Sequence, residues 1–292
     1  AVCLTAVFGV HRGIERLSTC LMPIFFLLMI GLAAYSLLLP GSEAGLAYLF
    51  QFSWSTVTPQ AILNAMGFTF FSLSLGAGVL VTYGAYVNKS TRLPSAAMWV
   101  AILALQAAIL AGLVIMPAVF AYGLEPDAGP GLVFITLPMI FAQLSGGSVV
   151  AVIFYFCLFV AALTSAVSLL EVAVAFLQNE CRFSRRAAVF LCFAALFILG
   201  SVSALSFGPW SDCLIFGRSI FDFLDYVCTN FLMTINGLAV AFVVGWKAWP
   251  KAMKELSTCS PENGVVTKGT LSAIGFGLRW LAPLMVLASC WQ

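Results

Sequence analysis

The chain has 292 residues, 62% of them hydrophobic and only 8% charged, with a formal net charge of +2. No soluble domain of this length buries so much apolar surface, so the composition specifies a polytopic membrane protein held in a lipid bilayer. It excludes a basic field for nucleic acid. The single histidine, His11, removes most hydrolytic and metal-catalytic arrangements, and nine singly spaced cysteines make neither a disulfide framework nor a zinc motif.

The first apolar run, residues 1–10, is about half of what a spanning helix needs. No initiator methionine or signal-peptide leader precedes it. The chain therefore reads as a piece of a larger protein whose N-terminal helices are missing. The first complete span runs from Gly13 to Leu39 and stops at Pro40-Gly41, with Gly13 and Pro23 as weak points in its cytoplasmic half. Residues 42–60 read as a loop with Tyr48 and Trp54 at the membrane interface.

Residues 61–87 form the next apolar run, and its centre is unusual. Ser72, Ser74, Gly76 and Gly78 follow one another as Ser-x-Ser-x-Gly-x-Gly. Two glycines at a helix midpoint cost roughly 1 kcal/mol each against alanine. Backbone groups released there need partners that lipid cannot supply. One reading is a small-residue packing face. The other is a helix broken at the membrane midplane, whose unwound backbone lines a solute and ion site.

Further spans follow at 94–122, 148–177, 187–205, 220–246 and 270–290, with a polar loop at 247–268. Between the first two of these lies Gly131 to Phe141, as apolar as a core, which is expected to fold as a short helical hairpin plugging a cavity, the alternative being a shallow re-entrant segment. Arg12, Arg16, Lys89, Arg92, Arg182, Arg185, Arg186, Lys247 to Lys268 and Arg279 flank one set of loops. The opposite set carries Glu43, Glu125, Asp127, Asp212 and Asp222, with Arg218 as its only basic residue. The positive-inside rule makes the first set cytoplasmic.

Three polar features stand inside the spans. Ala161, Thr164 and Ser165 share one helix face through i, i+3 and i+4 spacing. A hard cation such as sodium takes several oxygen ligands, and one carbonyl with two hydroxyls could supply three. Alternatively, both hydroxyls bond back to carbonyls one turn earlier. Glu171 either lines an inner solvated path or caps neighbouring helices. Asp225 either gates an outer vestibule by pairing with a base on a missing helix or is a solvated helix-end acid.

These residues resemble the neurotransmitter:sodium symporters, especially their bacterial amino-acid members. The resemblance runs from Gly13-Ile14-Glu15-Arg16 to Arg279-Trp280-Leu281-Ala282-Pro283. It is most specific at Phe70 to Gly78, at Thr82-Tyr83-Gly84-Ala85-Tyr86, at Gly131 to Pro138 and at Ala161 to Ser165. It implies an all-α, broken-helix, inverted-repeat fold like that of the bacterial leucine transporter, truncated at its N-terminus. Residues 1–39 would close the first repeat, 59–247 would be the second five-helix repeat, and 270–290 would be the following transmembrane helix. The location implied is a bacterial inner (plasma) membrane.

The resemblance also implies residue roles. Ala161, Thr164 and Ser165 match part of the second sodium site, and Ser72 matches a ligand of the first. Phe71, Ser72, Ser74, Ala77, Ser165 and Leu169 match the substrate pocket, with Phe71 as an aromatic lid. Asp225 matches an acid of the extracellular gate, and Gly13 with Pro23 a pair linked to opening of the inner water path. Two departures stand out. Phe68 replaces a usual glutamine and Ala104 a usual asparagine or acid, which takes two polar groups away from the first sodium site. Ala77 stands where the leucine transporter has a bulky aromatic.

The function implied is sodium-coupled symport of a neutral, large apolar or aromatic amino acid by alternating access, with sodium as the coupling ion and no enzyme activity. The rival is a non-transporting membrane sensor or assembly subunit that keeps the symporter scaffold.

Overall fold

The computed structural model describes residues 15–54, 57–87, 91–124, 131–144, 146–258 and 268–289. Five helices in it are long and apolar enough to cross a membrane: Glu15–Leu37 (α1), Leu93–Ala121 (α5), Gly147–Asn179 (α7), Arg185–Leu205 (α8) and the run Ile220–Lys247. Gly13 lies outside the described residues. Pro23 sits within α1, which continues through it. Its missing N–H leaves the Thr19 carbonyl without its usual helical donor.

Two stretches expected as loops are helical. Ser42–Phe50 forms α2, and Gly45 is its point of contact with α5. A Cβ on Gly45 would stand 2.6 Å from the Met116 carbonyl oxygen and the Pro117 Cα, so only glycine permits α2 to lie on α5 this closely. Trp249–Thr258 forms a second such helix, α11. The expected hairpin at 131–141 is also different. Leu132–Thr136 is a π-helical turn that runs directly into α6, Leu137–Gln143.

The chain divides into two compact units, residues 1–56 with 102–168 and residues 57–101 with 169–292, so α5 and α7 each contribute to both. The core of the first unit joins Met29 and Leu32 of α1, Val114 and Val119 of α5, Leu137, Ile140 and Phe141 of α6, and Phe154 of α7. Leu137 and Ile140 are fully enclosed, so one face of this apolar segment enters the core, while Phe134, Ile135 and Met139 stay exposed on the other. The Tyr155 hydroxyl donates to the Val133 carbonyl at 2.8 Å and satisfies the irregular turn.

The second unit begins with α3, Pro59–Ser72. Thr58 caps it, accepting from the Ala61 amide at 3.1 Å, with proline at the first helical position. After a break comes α4, Val79–Gly84. Beyond α8, a hairpin of two-residue strands pairs β1, Leu214–Ile215, with β2, Arg218–Ser219. The Ile220–Lys247 run then alternates α9, Ile220–Tyr226, a π segment, Val227–Met233, α10, Thr234–Phe242, and a second π segment, Val243–Lys247. The last helical run is likewise composite: α12, Lys268–Phe276, a π turn at Gly277–Leu281, and α13, Ala282–Ser289.

Candidate functional site

The apolar run at 61–87 is broken, the second of the two readings that its serine and glycine spacing left open and the one the resemblance implied. At the end of α3 the Ser74 amide donates to Phe71 O at 2.9 Å and the Leu75 amide to Phe70 O at 3.2 Å. This pair of bonds is a Schellman stop, whose turning residue must be left-handed. That residue is Ser74, at φ 52°. Glycine is the usual occupant, and a side chain there costs on the order of 1–2 kcal/mol. Gly78, at φ 77°, restarts the chain as α4.

The unwound segment is held from the α10 side. Gly76 is buried, and a Cβ on it would collide with the Met233 carbonyl and the Phe70 ring. The Asn236 side-chain amide donates to Gly76 O at 2.7 Å. Here the π segment before α10 ends and a polar side chain reaches across to carry a carbonyl that the break released. Sequence reasoning missed Asn236. An amide deep in the Ile220–Lys247 run, past its polar outer end, was the available signal.

Of the residues that the resemblance matched to a substrate pocket, Phe71, Ser72, Ser74 and Ala77 gather at this break. Phe71 is 52% exposed and Ser72 is exposed, while Ser74 and Ala77 are half-buried. Leu169 is 51% exposed, on the stretch of α7 that packs beside the break: a Cβ on Gly78 would meet Val172 at 3.3 Å. The departing residue Phe68 is 64% exposed. A separate cavity of about 510 Å³ lies among α3, α10 and α13, lined by Ile62, Met66, Phe70, Leu75, Val240 and Leu278 among others. Thr69 also lines it, but its hydroxyl is turned back to Ala65 O at 2.8 Å. Such a lining offers nothing for the charged ends of a free amino acid.

In the first unit, Thr164 Oγ1 lies 3.0 Å from Ala161 O and 3.1 Å from Val160 O. The Thr164 hydroxyl thus donates back along its own helix, as the second of the two readings of this face has it for that residue. The two states are compatible. Oxygens this far apart can also share a cation at about 2.4 Å from each, once the hydroxyl proton turns away. Ser165 is exposed, and Ala161 is half-buried.

Glu171, in the second unit, is fully buried. Arg185 forks onto it, Nη2 to Oε2 at 2.5 Å and Nη1 to Oε1 at 3.1 Å, and also reaches Gln178 Oε1 at 3.1 Å. The Tyr86 hydroxyl donates to Oε1 at 3.4 Å. Glu171 is therefore a paired residue that ties the end of α4 to α7 and to the first turn of α8. Bidentate pairing is the geometry that makes a buried carboxylate tolerable.

On the opposite side, Ser219 caps α9, accepting from the Asp222 amide at 3.1 Å. Asp225 lines an open cleft of about 710 Å³ together with Arg218, Asp222, Tyr226 and Thr229. Thr229 Oγ1 donates to the Asp225 main-chain oxygen at 2.6 Å and to Asp225 Oδ1 at 3.3 Å. The Arg218 guanidinium stacks 4.3 Å from the Tyr226 ring centre.

The family model of the sodium:neurotransmitter symporter family matches residues 1–269. A protein of Haemophilus influenzae described as an uncharacterized sodium-dependent transporter is 38% identical over 281 residues, covering 96% of this chain and 60% of that one. The uncharacterized sodium-dependent transporter YhdH of Bacillus subtilis is 34% identical over 284 residues, covering 97% and 62%. The crystal structure of MhsT in complex with L-phenylalanine superposes with a TM-score of 0.86 at 41% identity, over 99% of this chain and 64% of that one. The chain thus spans somewhat under two thirds of the length of each.

Proposed function

The chain belongs to the sodium:neurotransmitter symporter family, and from that premise we propose that it serves sodium-coupled symport of a neutral, large apolar or aromatic amino acid in a bacterial inner membrane. The observation that carries the reading is the break at residues 73–78, where a left-handed Ser74 and an Asn236-held Gly76 carbonyl keep the backbone open. Open backbone inside a membrane span persists only where it is buried in protein or lines a solute path.

In this reading residues 1–39 close a first repeat, 59–247 are the second repeat, and 270–290 follow it. Phe71, Ala77 and Leu169 form the apolar pocket, with Ser72, Ser74 and Ser165 as its polar points and Phe71 as the lid. Ala161, Thr164 and Ser165 ligate the coupling sodium, and Ser72 offers a ligand to a first sodium site weakened by Phe68 and Ala104. Asp225 serves the outer gate, and Gly13 with Pro23 the inner path. Sodium binding biases the conformational equilibrium, and solute binding completes the switch of access.

The small Ala77 leaves room for a bulky side chain. No charged side chain stands among these positions, so an ionised solute side chain would be buried unpaired. The phenylalanine bound by the 41%-identical MhsT agrees with that preference. The test is competition for sodium-dependent phenylalanine binding, on protein expressed from the longest reading frame containing these residues. Tryptophan and leucine should displace at lower concentration than glycine or glutamate. Preferential displacement by glycine or glutamate overturns the solute assignment, and binding indifferent to sodium overturns the coupling.

A further inference from the structure

Helix α11 connects two spans on the side where the basic residues collect, and it is amphipathic in a specific way. Trp249, Ala252, Met253 and Leu256 recur at i, i+3, i+4 and i+7 and form one apolar face. Lys251 and Lys254 stand on the opposite face, both exposed, and exposed Lys247 precedes them in the last turn of the preceding span. Glu255 is the only acid in the helix.

The root of the helix is fixed. Trp249 is buried, and its ring lies so close to Gly275 of α12 that a Cβ there would stand 2.6 Å from the indole. Arg279 donates through Nε to Gly245 O at 2.7 Å, and its guanidinium sits 5.7 Å from the Trp249 ring centre. Beyond this root the apolar face opens: Met253 is 41% exposed, and Ala252 and Leu256 are half-buried. The Trp249 end is thus tied both to the span that ends at Lys247 and to α12, which leaves the apolar face to run on from a membrane-spanning element.

We infer that α11 is an interfacial helix that beds Met253 and Leu256 into the bilayer surface and binds anionic phospholipid headgroups through Lys247, Lys251 and Lys254. Three features specify the partner. The charge is complementary to an anionic leaflet, the polarity is split for an interface rather than for water on all sides, and the element is continuous with two membrane spans. A free anion would explain the lysines but not the apolar face. A lysine near an anionic surface contributes about 1 kcal/mol, which is about a fivefold enrichment of anionic lipid per lysine.

The test places a fluorescent amino acid at Met253 by codon suppression in the protein expressed from the longest reading frame, reconstituted in nanodiscs. Brominated phosphatidylglycerol and brominated phosphatidylcholine are compared as quenchers at equal fraction. Both should quench, with phosphatidylglycerol effective at severalfold lower fraction. K251E with K254E should erase that preference while quenching by phosphatidylcholine remains. Raising salt on the unsubstituted protein should shrink the preference in the same way, a second readout that needs no lysine substitution. Equal quenching by the two lipids at low salt overturns headgroup recognition, and quenching by neither overturns the interfacial placement. Neither result bears on sodium-dependent solute binding, so this inference and the transport reading fail separately.

Discussion

The Asn236 amide is the most exacting point on which to test the broken helix. Its bond to Gly76 O, 2.7 Å long, joins residues 160 positions apart. Asn236→Ala removes the donor and leaves a buried carbonyl without that partner, at a cost of about 1–3 kcal/mol. The backbone at 73–78 would then spend less time in the conformation that receives solute. Apparent affinity falls with the population of that conformation, so about 1–3 kcal/mol becomes a loss of roughly 5- to 150-fold. Asn236→Asp should be no better, because a carboxylate offers the carbonyl no donor. The assay is equilibrium binding of radiolabelled phenylalanine at saturating sodium, alongside thermal unfolding in detergent. An Asn236→Ala protein with unchanged affinity and unchanged melting temperature would refute the claim that this bond holds the break open.

Other substitutions separate stability from function. Ser74→Gly should relieve the left-handed backbone and raise stability by about 1 kcal/mol, seen as a rise of a few degrees in Tm, while solute affinity drops because a pocket hydroxyl is lost. Thr164→Val with Ser165→Ala should abolish sodium stimulation of binding yet cost under about 1 kcal/mol in stability, since the Thr164 hydroxyl donates along its own helix; intact sodium dependence would refute the proposed site. Arg185→Ala should destabilise by about 3–5 kcal/mol, because it strands the fully buried Glu171. Adding Glu171→Gln to that variant should recover most of the loss, and chemical denaturation of the two variants measures the difference.

The membrane class, the positions of the long spans and the point at which residues 61–87 could break were all legible along the chain. Each of these is local: hydropathy summed along a segment, the distribution of lysine and arginine, and glycine's poor helix propensity act within a few residues of one another. Packing supplied the rest. Helices α2 and α11 occupy stretches that read as loops because what makes them helical is a partner, Met116 and Pro117 beneath Gly45 and Gly275 beneath Trp249. Residues 131–141 form one helical run, a π turn leading into α6, rather than a hairpin because Leu137 and Ile140 find a core to enter. Glu171 left two roles open until Arg185 appeared 2.5 Å away. The Ser-x-Ser-x-Gly-x-Gly spacing located the break, but a hydrogen bond from Asn236 to Gly76 has no signature along the chain. Which donor meets a released carbonyl depends on how two distant spans pack, and a buried polar group takes whichever partner that packing brings within reach.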